Sequence, residues 1–319
     1  VESAIGRVEM PSHTHSHDRH THDHHARSAR LGRAFAIGIA LNVAFVAAEV
    51  ICGLLANSLA LVADAAHNFS DVVGLVLAWG ASALAQRPPS ARFTYGLRGS
   101  TILAALANAM LLLVVTGGIA WEAVLRFKNP DVLNETLMIW VALAGIFING
   151  GTAWLFMADR KSDLNVRGAY LHMAADAGVS LGVAIAGAGI MFTGWLWLDP
   201  AVSLLIVATI FAGTWGLLRD SVKLALHAAP ENVDPGEVRR YLSGLQGVAE
   251  VHDLHIWAMS TTETALTAHL VIPAGHPGDD FLAHVVDEIE HDFHIGHATL
   301  QIETGSSENP CALAPDHVV

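Results

Sequence analysis

Charge is scarce in this chain. Only 15% of its 319 residues are Asp, Glu, Lys or Arg, against a hydrophobic content of 53%. Soluble domains carry about 25% charged residues, so an ordinary soluble globule of this length is excluded. A mean hydropathy of +0.44 points instead to a polytopic membrane protein that keeps the lipid bilayer as its solvent. Positive charge is scarcer still, at 17 Lys and Arg against 30 Asp and Glu. The basic surface that nucleic-acid binding needs is missing, and no nucleic-acid partner is expected. Cysteine is nearly absent. Cys52 in an apolar run and Cys311 near the end of the chain are too few and too distant to form a disulfide framework. The first residues also lack the basic stretch, short apolar core and small-residue cleavage site of a secretory signal. Met10 is expected to be the native first residue, with Val1 to Glu9 a leader ahead of it.

Histidine, by contrast, is abundant, at 19 residues. Seven of these fall in "SHTHSHDRHTHDHHARSAR" (12–30), which is polar and without hydrophobic periodicity. That composition predicts a disordered arm over 1–30 whose closely spaced imidazoles bind metal weakly and exchangeably.

Crossing a bilayer takes roughly 20 mostly apolar residues in a helix, because lipid offers backbone amides no partner. Six segments meet this: Ala34–Leu55, Leu59–Leu84, Ser100–Val124, Leu137–Met157, Ala169–Phe192 and Leu196–Leu218. With the N-terminus in the cytoplasm, all Lys and Arg except Arg126 and Lys128 fall on the cytoplasmic side, so the positive-inside rule predicts that both termini are cytoplasmic.

After Leu218 the chain becomes charged. "ENVDPGEVRRYLSGL" (231–245) predicts a short helix capped by Asp234 ahead of Pro235. Two strand-like runs at 248–260 and 263–273, a helix at 279–293 and a last strand at 297–303 follow. The resulting order, α-β-β-α-β, predicts a small α+β, ferredoxin-like domain over 219–305, with 306–319 a tail. The fold class expected is thus an α-helical polytopic membrane protein, with six transmembrane helices over 31–218, plus this small domain.

One pattern occurs twice. His67 and Asp71 stand four apart in the second span, and His172 and Asp176 repeat the spacing in the fifth. On a helix, positions i and i+4 share a face, so each span offers an imidazole and a carboxylate in one direction. Two such faces opposed give two nitrogens and two oxygens, a set suited to tetrahedral Zn²⁺ and acceptable to Co²⁺ or Cd²⁺. Two carboxylates also balance a divalent charge. On a soluble helix such a pair is usually a surface hydrogen bond, but ionisable groups inside a span are costly and generally functional. A structural polar cluster joining the two helices is the alternative. Asp64, a turn before His67, fits either helix packing and ligand support or direct participation.

At this point a resemblance enters. "EVICGLLANSLALVADAAHNFSDVVGL" (49–75), "FTYGLRGSTILAALANA" (93–109), "HMAAD" (172–176) and "VHDLHIWAMSTTETALTAHLV" (251–271) resemble the cation diffusion facilitator family, in its zinc-transporter branch, from about Leu31 to Glu303. The resemblance implies a homodimeric antiporter that exports divalent metal from the cytoplasm in exchange for protons, with a ferredoxin-like cytoplasmic domain. It implies an intramembrane site at His67, Asp71, His172 and Asp176. In the small domain it implies ligands at His252, His269 and a residue near Gln301–Glu303, with Glu303 the foremost of these and His297 or Asp253 further candidates.

Departures from the family's pattern matter as well. Where many relatives open the third span with a basic residue and a glutamate, this chain has Gly99, Ser100 and Thr101, so no ion pair is assumed there. Ala85–Gly96 contains no His, Asp, Glu or Cys, so no metal site is expected in that loop. The loop before the fifth span lacks the histidine run of many eukaryotic members, which points to a bacterial source and its inner membrane.

In the first strand, alternation places His252 on one face and Asp253 and His255 on the other, so His252 and His255 are not expected to ligate together unless a bulge intervenes. Histidine's ordinary pKa is near 6.5, and the nitrogen must be unprotonated to bind metal, so metal and protons compete. Two rivals belong to other classes. A membrane metalloenzyme would keep a position open for water, which four protein ligands do not leave. A sensor would bind metal without moving it. The metals expected are Zn²⁺ first, with Co²⁺, Cd²⁺ or Ni²⁺ compatible.

Overall fold

The computed structural model describes residues 43–157, 164–305 and 311–314. The histidine-rich arm and the start of the first expected span lie outside the described residues. Six apolar helices form the larger part: α1 (Val43–Ala56, the described portion), α2 (Leu59–Ala85), α3 (Ser100–Lys128), α4 (Glu135–Phe156), α5 (Leu164–Thr193) and α6 (Leu198–Ala225). The last five are each long and apolar enough to cross a membrane. Their outer faces carry large apolar side chains such as Trp79, Phe147, Trp154 and Phe192, all exposed. In water that surface would be untenable; against lipid it is the expected exterior.

Inside, Leu61, Leu112, Met138, Ala142, Val183 and Ile206 form one apolar core. Small residues let α4 and α5 approach closely. A Cβ at Gly145 would lie 2.6 Å from Ser180 Oγ, and one at Gly187 would lie 2.8 Å from Ile139 Cγ1, so neither position has room for a side chain.

One end of the bundle is tied by polar contacts between links. Asn57, with φ of 55°, accepts from Arg126 Nη1 through its carbonyl at 2.6 Å and from Nη2 through its side chain at 2.9 Å. Asp199 in the first turn of α6 caps a different helix. Its carboxylate accepts from Ser58 Oγ at 2.6 Å, Leu59 N at 2.9 Å and Ala60 N at 3.2 Å, which satisfies the orphan amides of α2.

α6 overruns the expected end of its span. The apolar run ends at Leu218, whereas the helix continues to Ala225. Polar residues end a hydrophobic run but not a helix, and here Arg219, Asp220 and Lys223 extend it into the aqueous phase. The stop comes at His227, with φ of 61°, ahead of Pro230.

The small domain follows the expected order: α7 (Pro235–Gly244), β1 (Glu250–Ala258), β2 (Thr264–Val271), α8 (Asp279–Phe293) and β3 (His297–Glu303). Asp234 caps α7, its Oδ1 accepting from Gly236 N at 2.8 Å. β2 is the centre of the sheet, antiparallel to β1 and parallel to β3. Val238, Leu242, Leu266, Leu270, Val285 and Ile289 fill the space between one sheet face and the helices. The opposite face of the sheet, turned away from those helices, carries His269 and Glu303. The β1–β2 turn reaches the helical bundle, where Glu263 pairs with Arg98 just ahead of α3 and Thr261 N donates to Thr101 Oγ1 at 3.1 Å. An ion pair thus exists beside Gly99–Thr101, where none was assumed, between Arg98 and a residue of the small domain.

Candidate metal centres

α2 and α5 lie side by side and run in opposite directions. His67 and Asp71 project from one, His172 and Asp176 from the other. His172 Nε2 lies 3.2 Å from Asp71 Oδ2 and 3.7 Å from Asp176 Oδ2. His67 Nε2 lies 3.8 Å from Asp71 Oδ2 and 3.9 Å from Asp176 Oδ1. The two rings meet edge to face, with centroids 5.9 Å apart. His67, His172 and Asp176 each bring one ligand atom within 4.8 Å of the others, and Asp71 stands beside this group with its Oδ2 near both imidazoles. Donors around a tetrahedral ion with bonds of about 2.0 Å stand roughly 3.3 Å apart, so the four contract to hold one. The site is graded. The Asp176 side chain is 3% exposed, His67 25%, Asp71 35% and His172 41%, so the open side is the one toward the C-terminal end of α2 and the start of α5. That is also the end of the bundle that touches the small domain.

A second group of donors occupies the free face of the sheet. His252, His269, Glu303 and Cys311 each bring one ligand atom within 4.8 Å of the others. His252 and His269 are directly paired across β1 and β2, and Glu303 stands beside them on β3, two positions from Gln301, which pairs His269. His269 Nδ1 is 3.0 Å from Glu303 Oε1 and 3.6 Å from Cys311 Sγ. His252 is buried, and neither of its ring nitrogens has a hydrogen-bond partner among the described residues. Two nitrogens, a carboxylate oxygen and a thiolate sulfur fit tetrahedral Zn²⁺. Burial acts to raise the Glu303 carboxyl, but hydrogen bonds from Cys311 and Gln301 and the adjacent His252 and His269 outweigh it and hold the group below its ordinary range.

The remaining sequence-predicted residues are placed otherwise. Asp253 stands at a register break between His252 and His255, with φ of 48°. It is a β-bulge, and the extra residue moves His255 onto the side of the sheet that carries His252. The simple alternation expected for β1 therefore fails there. Asp253 Oδ1 lies 2.8 Å from His255 Nε2, and Oδ2 lies 3.4 Å from His269 Nε2. That geometry orients His269 from behind, as a carboxylate commonly does for a metal-ligating histidine. His297 is not brought to the cluster. It begins β3, at the opposite end from Glu303, and its ring stands edge-on to Tyr95 with centroids 5.4 Å apart.

Comparison with known proteins decides the family. The model described as cation efflux transmembrane domain matches residues 35–224, and that described as cation efflux protein, cytoplasmic domain, matches 230–305. The chain belongs to the cation efflux, or cation diffusion facilitator, family. It is 40% identical over 278 residues to the metal cation efflux system protein CzcD of Cupriavidus metallidurans, covering 86% of this chain and 88% of that one. It is 36% identical over 301 residues to the zinc transporter ZitB of Escherichia coli, covering 94% and 95%. It is 34% identical over 270 residues to the cadmium, cobalt and zinc/H(+)-K(+) antiporter of Bacillus subtilis, covering 83% and 86%. This cation efflux protein is accordingly a multi-pass membrane transporter of metal cations and not an enzyme.

Sequence reasoning missed three residues. Glu49, wholly buried on α1, had a signal: it is ionisable and lies in an apolar run, the same argument that singled out Asp64. Asp199 had that signal too, at the mouth of a span. Cys311 had none, being a single cysteine in a polar tail with no spacing to read.

Proposed function

We propose that this protein is a proton-coupled antiporter that exports divalent metal, Zn²⁺ foremost, through the four side chains of α2 and α5. The single observation that carries the proposal is their convergence: His67, Asp71, His172 and Asp176 are drawn together from two antiparallel helices in a chain whose relatives move metal. The charge of two carboxylates offsets that of one divalent ion and reduces the cost of taking it out of water. Co²⁺, Cd²⁺ and Ni²⁺ share the donor chemistry and are compatible cargoes.

The gradation of exposure supports loading from the side of the small domain. We place that side in the cytoplasm of a bacterial inner membrane, with both termini there, residues 31–218 as the transmembrane unit and 219–305 as the cytoplasmic one. A proton that neutralises a site carboxylate or imidazole on the far side expels the metal, because each ligand binds either species but not both. Rocking of α2 and α5 together, with the rest of the bundle fixed, changes which end of the site is open. The bound metal in the small domain would be held by His252, His269, Glu303 and Cys311, with Asp253 orienting His269. The sheet face and its edges make that domain the proposed seat of a homodimer, in line with its family match.

The test is flux. Protein in liposomes that enclose a zinc-sensitive dye should move Zn²⁺ inward at a rate raised by a proton gradient of opposite direction. Binding without flux under any gradient, for Zn²⁺, Co²⁺ and Cd²⁺ alike, would identify a sensor instead; conversion of a substrate would identify an enzyme.

A further inference from the structure

A second polar cluster lies in the bundle, on the far side of the four-residue site from the small domain. Glu49 on α1, Asp64 and Asn68 on α2 and Ser180 on α5 are each 0–2% exposed. Asn68 Nδ2 donates to Glu49 Oε2 at 3.4 Å, and Ser180 Oγ donates to Asp64 Oδ2 at 3.2 Å. Asp64 and Asn68 stand four apart on one face of α2, and through Asn68 that face meets Glu49, so the two carboxyls belong to one buried cluster. Glu49 Oε1, Asp64 Oδ1 and Asn68 Oδ1 have no hydrogen-bond partner among the described residues. Asn149 on α4 is also fully buried, with both amide atoms unpartnered among the described residues. It lies one turn along the face of Gly145, where a Cβ would meet Ser180 Oγ.

The titratable inventory around this cluster is short. The described part of α1 offers Glu49 and Cys52; α2 adds His67 and Asp71, and α5 adds His172 and Asp176. On α4 the nearest is Glu135, in its distant first turn. Arg167 on α5 stands 13 positions from Ser180, roughly 20 Å along the helix axis. No Lys or Arg among the described residues hydrogen-bonds or ion-pairs with Glu49 or Asp64. Two buried carboxylates in one cluster, given only neutral donors, repel each other; one proton between them relieves the repulsion and supplies a missing donor.

We infer that Glu49 and Asp64 form a proton site separate from the metal site, holding one shared proton that the metal displaces. The inference rests on the proposed metal–proton exchange and adds to the competition at the four ligands a second proton, held next to them. Asn68 follows His67 directly on α2, and Ser180 lies one turn from Asp176 on α5. A divalent charge arriving between His67 and Asp176 therefore disfavours the proton next door, and return of that proton disfavours the metal. In the balanced step Zn²⁺ enters, one O–H bond of the pair breaks and H⁺ leaves; the reverse occurs as Zn²⁺ departs.

The experiment is infrared difference spectroscopy on the full chain in lipid, at neutral pH, before and after addition of Zn²⁺. A carbonyl stretch of a protonated carboxyl is expected in the metal-free protein, diminished by Zn²⁺ and missing in both Glu49→Gln and Asp64→Asn. Absence of a Zn²⁺-sensitive band in the unmodified protein would overturn the inference even if neither variant folds. So would a band that survives in both folded variants, or one that appears only when K⁺ is withdrawn, which marks an alkali site. In liposomes, the ratio of Zn²⁺ flux with a proton gradient to flux without it should fall in Glu49→Gln; an unaltered ratio contradicts the inference. Loss of all flux in Asp176→Ala tests the metal site alone, so the two readings fail separately.

Discussion

His172 Nε2 on α5 lies 3.2 Å from Asp71 Oδ2 on α2, the shortest of the contacts that join the two helices at the proposed metal site. Each helix thus completes the other's ligand pair. Asp71→Asn keeps the shape and removes the charge, and it should weaken Zn²⁺ binding at this site by at least ~10-fold, the lower range for loss of a supporting group. Equilibrium titration with the cytoplasmic cluster disabled reads the change directly. Unaltered affinity would show that Asp71 serves the helix contact and not the metal.

Cys311 brings the only sulfur to the cytoplasmic cluster among the described residues. Cys311→Ser should lower the affinity of that cluster and replace the sulfur signature in the absorption spectrum of the Co²⁺-loaded protein. A spectrum with unchanged thiolate-to-cobalt bands would remove Cys311 from the ligand set.

Glu303 lies below its ordinary range, because hydrogen bonds and the neighbouring imidazoles outweigh its burial. A carboxyl of depressed pKa lends its stabilisation above the ordinary carboxylate range and loses it only as pH falls through its lowered value. A metal held by this cluster should therefore lose little to protonation of Glu303 until the solution is well below that range, and Glu303→Gln should reduce Zn²⁺ affinity at every pH above it. Unaltered affinity of the variant at neutral pH would remove Glu303 from the ligand set.

Asp199 satisfies three donors at the start of α2. Asp199→Ala leaves them unpaired in a buried setting, at a cost of ~1–3 kcal/mol for each group that finds no water. A lowered thermal midpoint in detergent is the expected result, with Asp199→Asn recovering part of the loss.

Gly145→Ala drives a methyl to within 2.6 Å of Ser180 Oγ and 3.0 Å of Phe45 Cζ. Overpacking of this kind costs ~1–3 kcal/mol. Gly150→Ala, where a Cβ meets nothing, is the matched control and should leave the thermal midpoint unchanged.

The helices and the pairing of His67, Asp71, His172 and Asp176 were legible because each rests on a local rule. Lipid demands long apolar runs, and i, i+4 spacing sets a common face. The small domain's order was legible for similar reasons, with α8 and β3 found at their observed bounds. What escaped depended on contacts remote in sequence or on backbone detail. No periodicity announces the bulge at Asp253, because one inserted residue leaves the composition of the strand unaltered. His297 was admitted as a ligand because its distance along β3 from Glu303 has no bearing on residue type. Asp199 caps a helix more than a hundred positions away, which only the packing of α6 against α2 creates. The Glu49–Asp64 cluster likewise needs α1 and α2 to be docked.

The most direct test of the central claim compares Zn²⁺ flux in liposomes, under an imposed proton gradient, for the unmodified protein and for Asp71→Ala and Asp176→Ala, with dimer size and thermal midpoint checked for each. Transport through the α2–α5 site predicts gradient-driven flux that vanishes in both variants while the folded dimer persists. Gradient-driven flux retained in either folded variant would contradict the account.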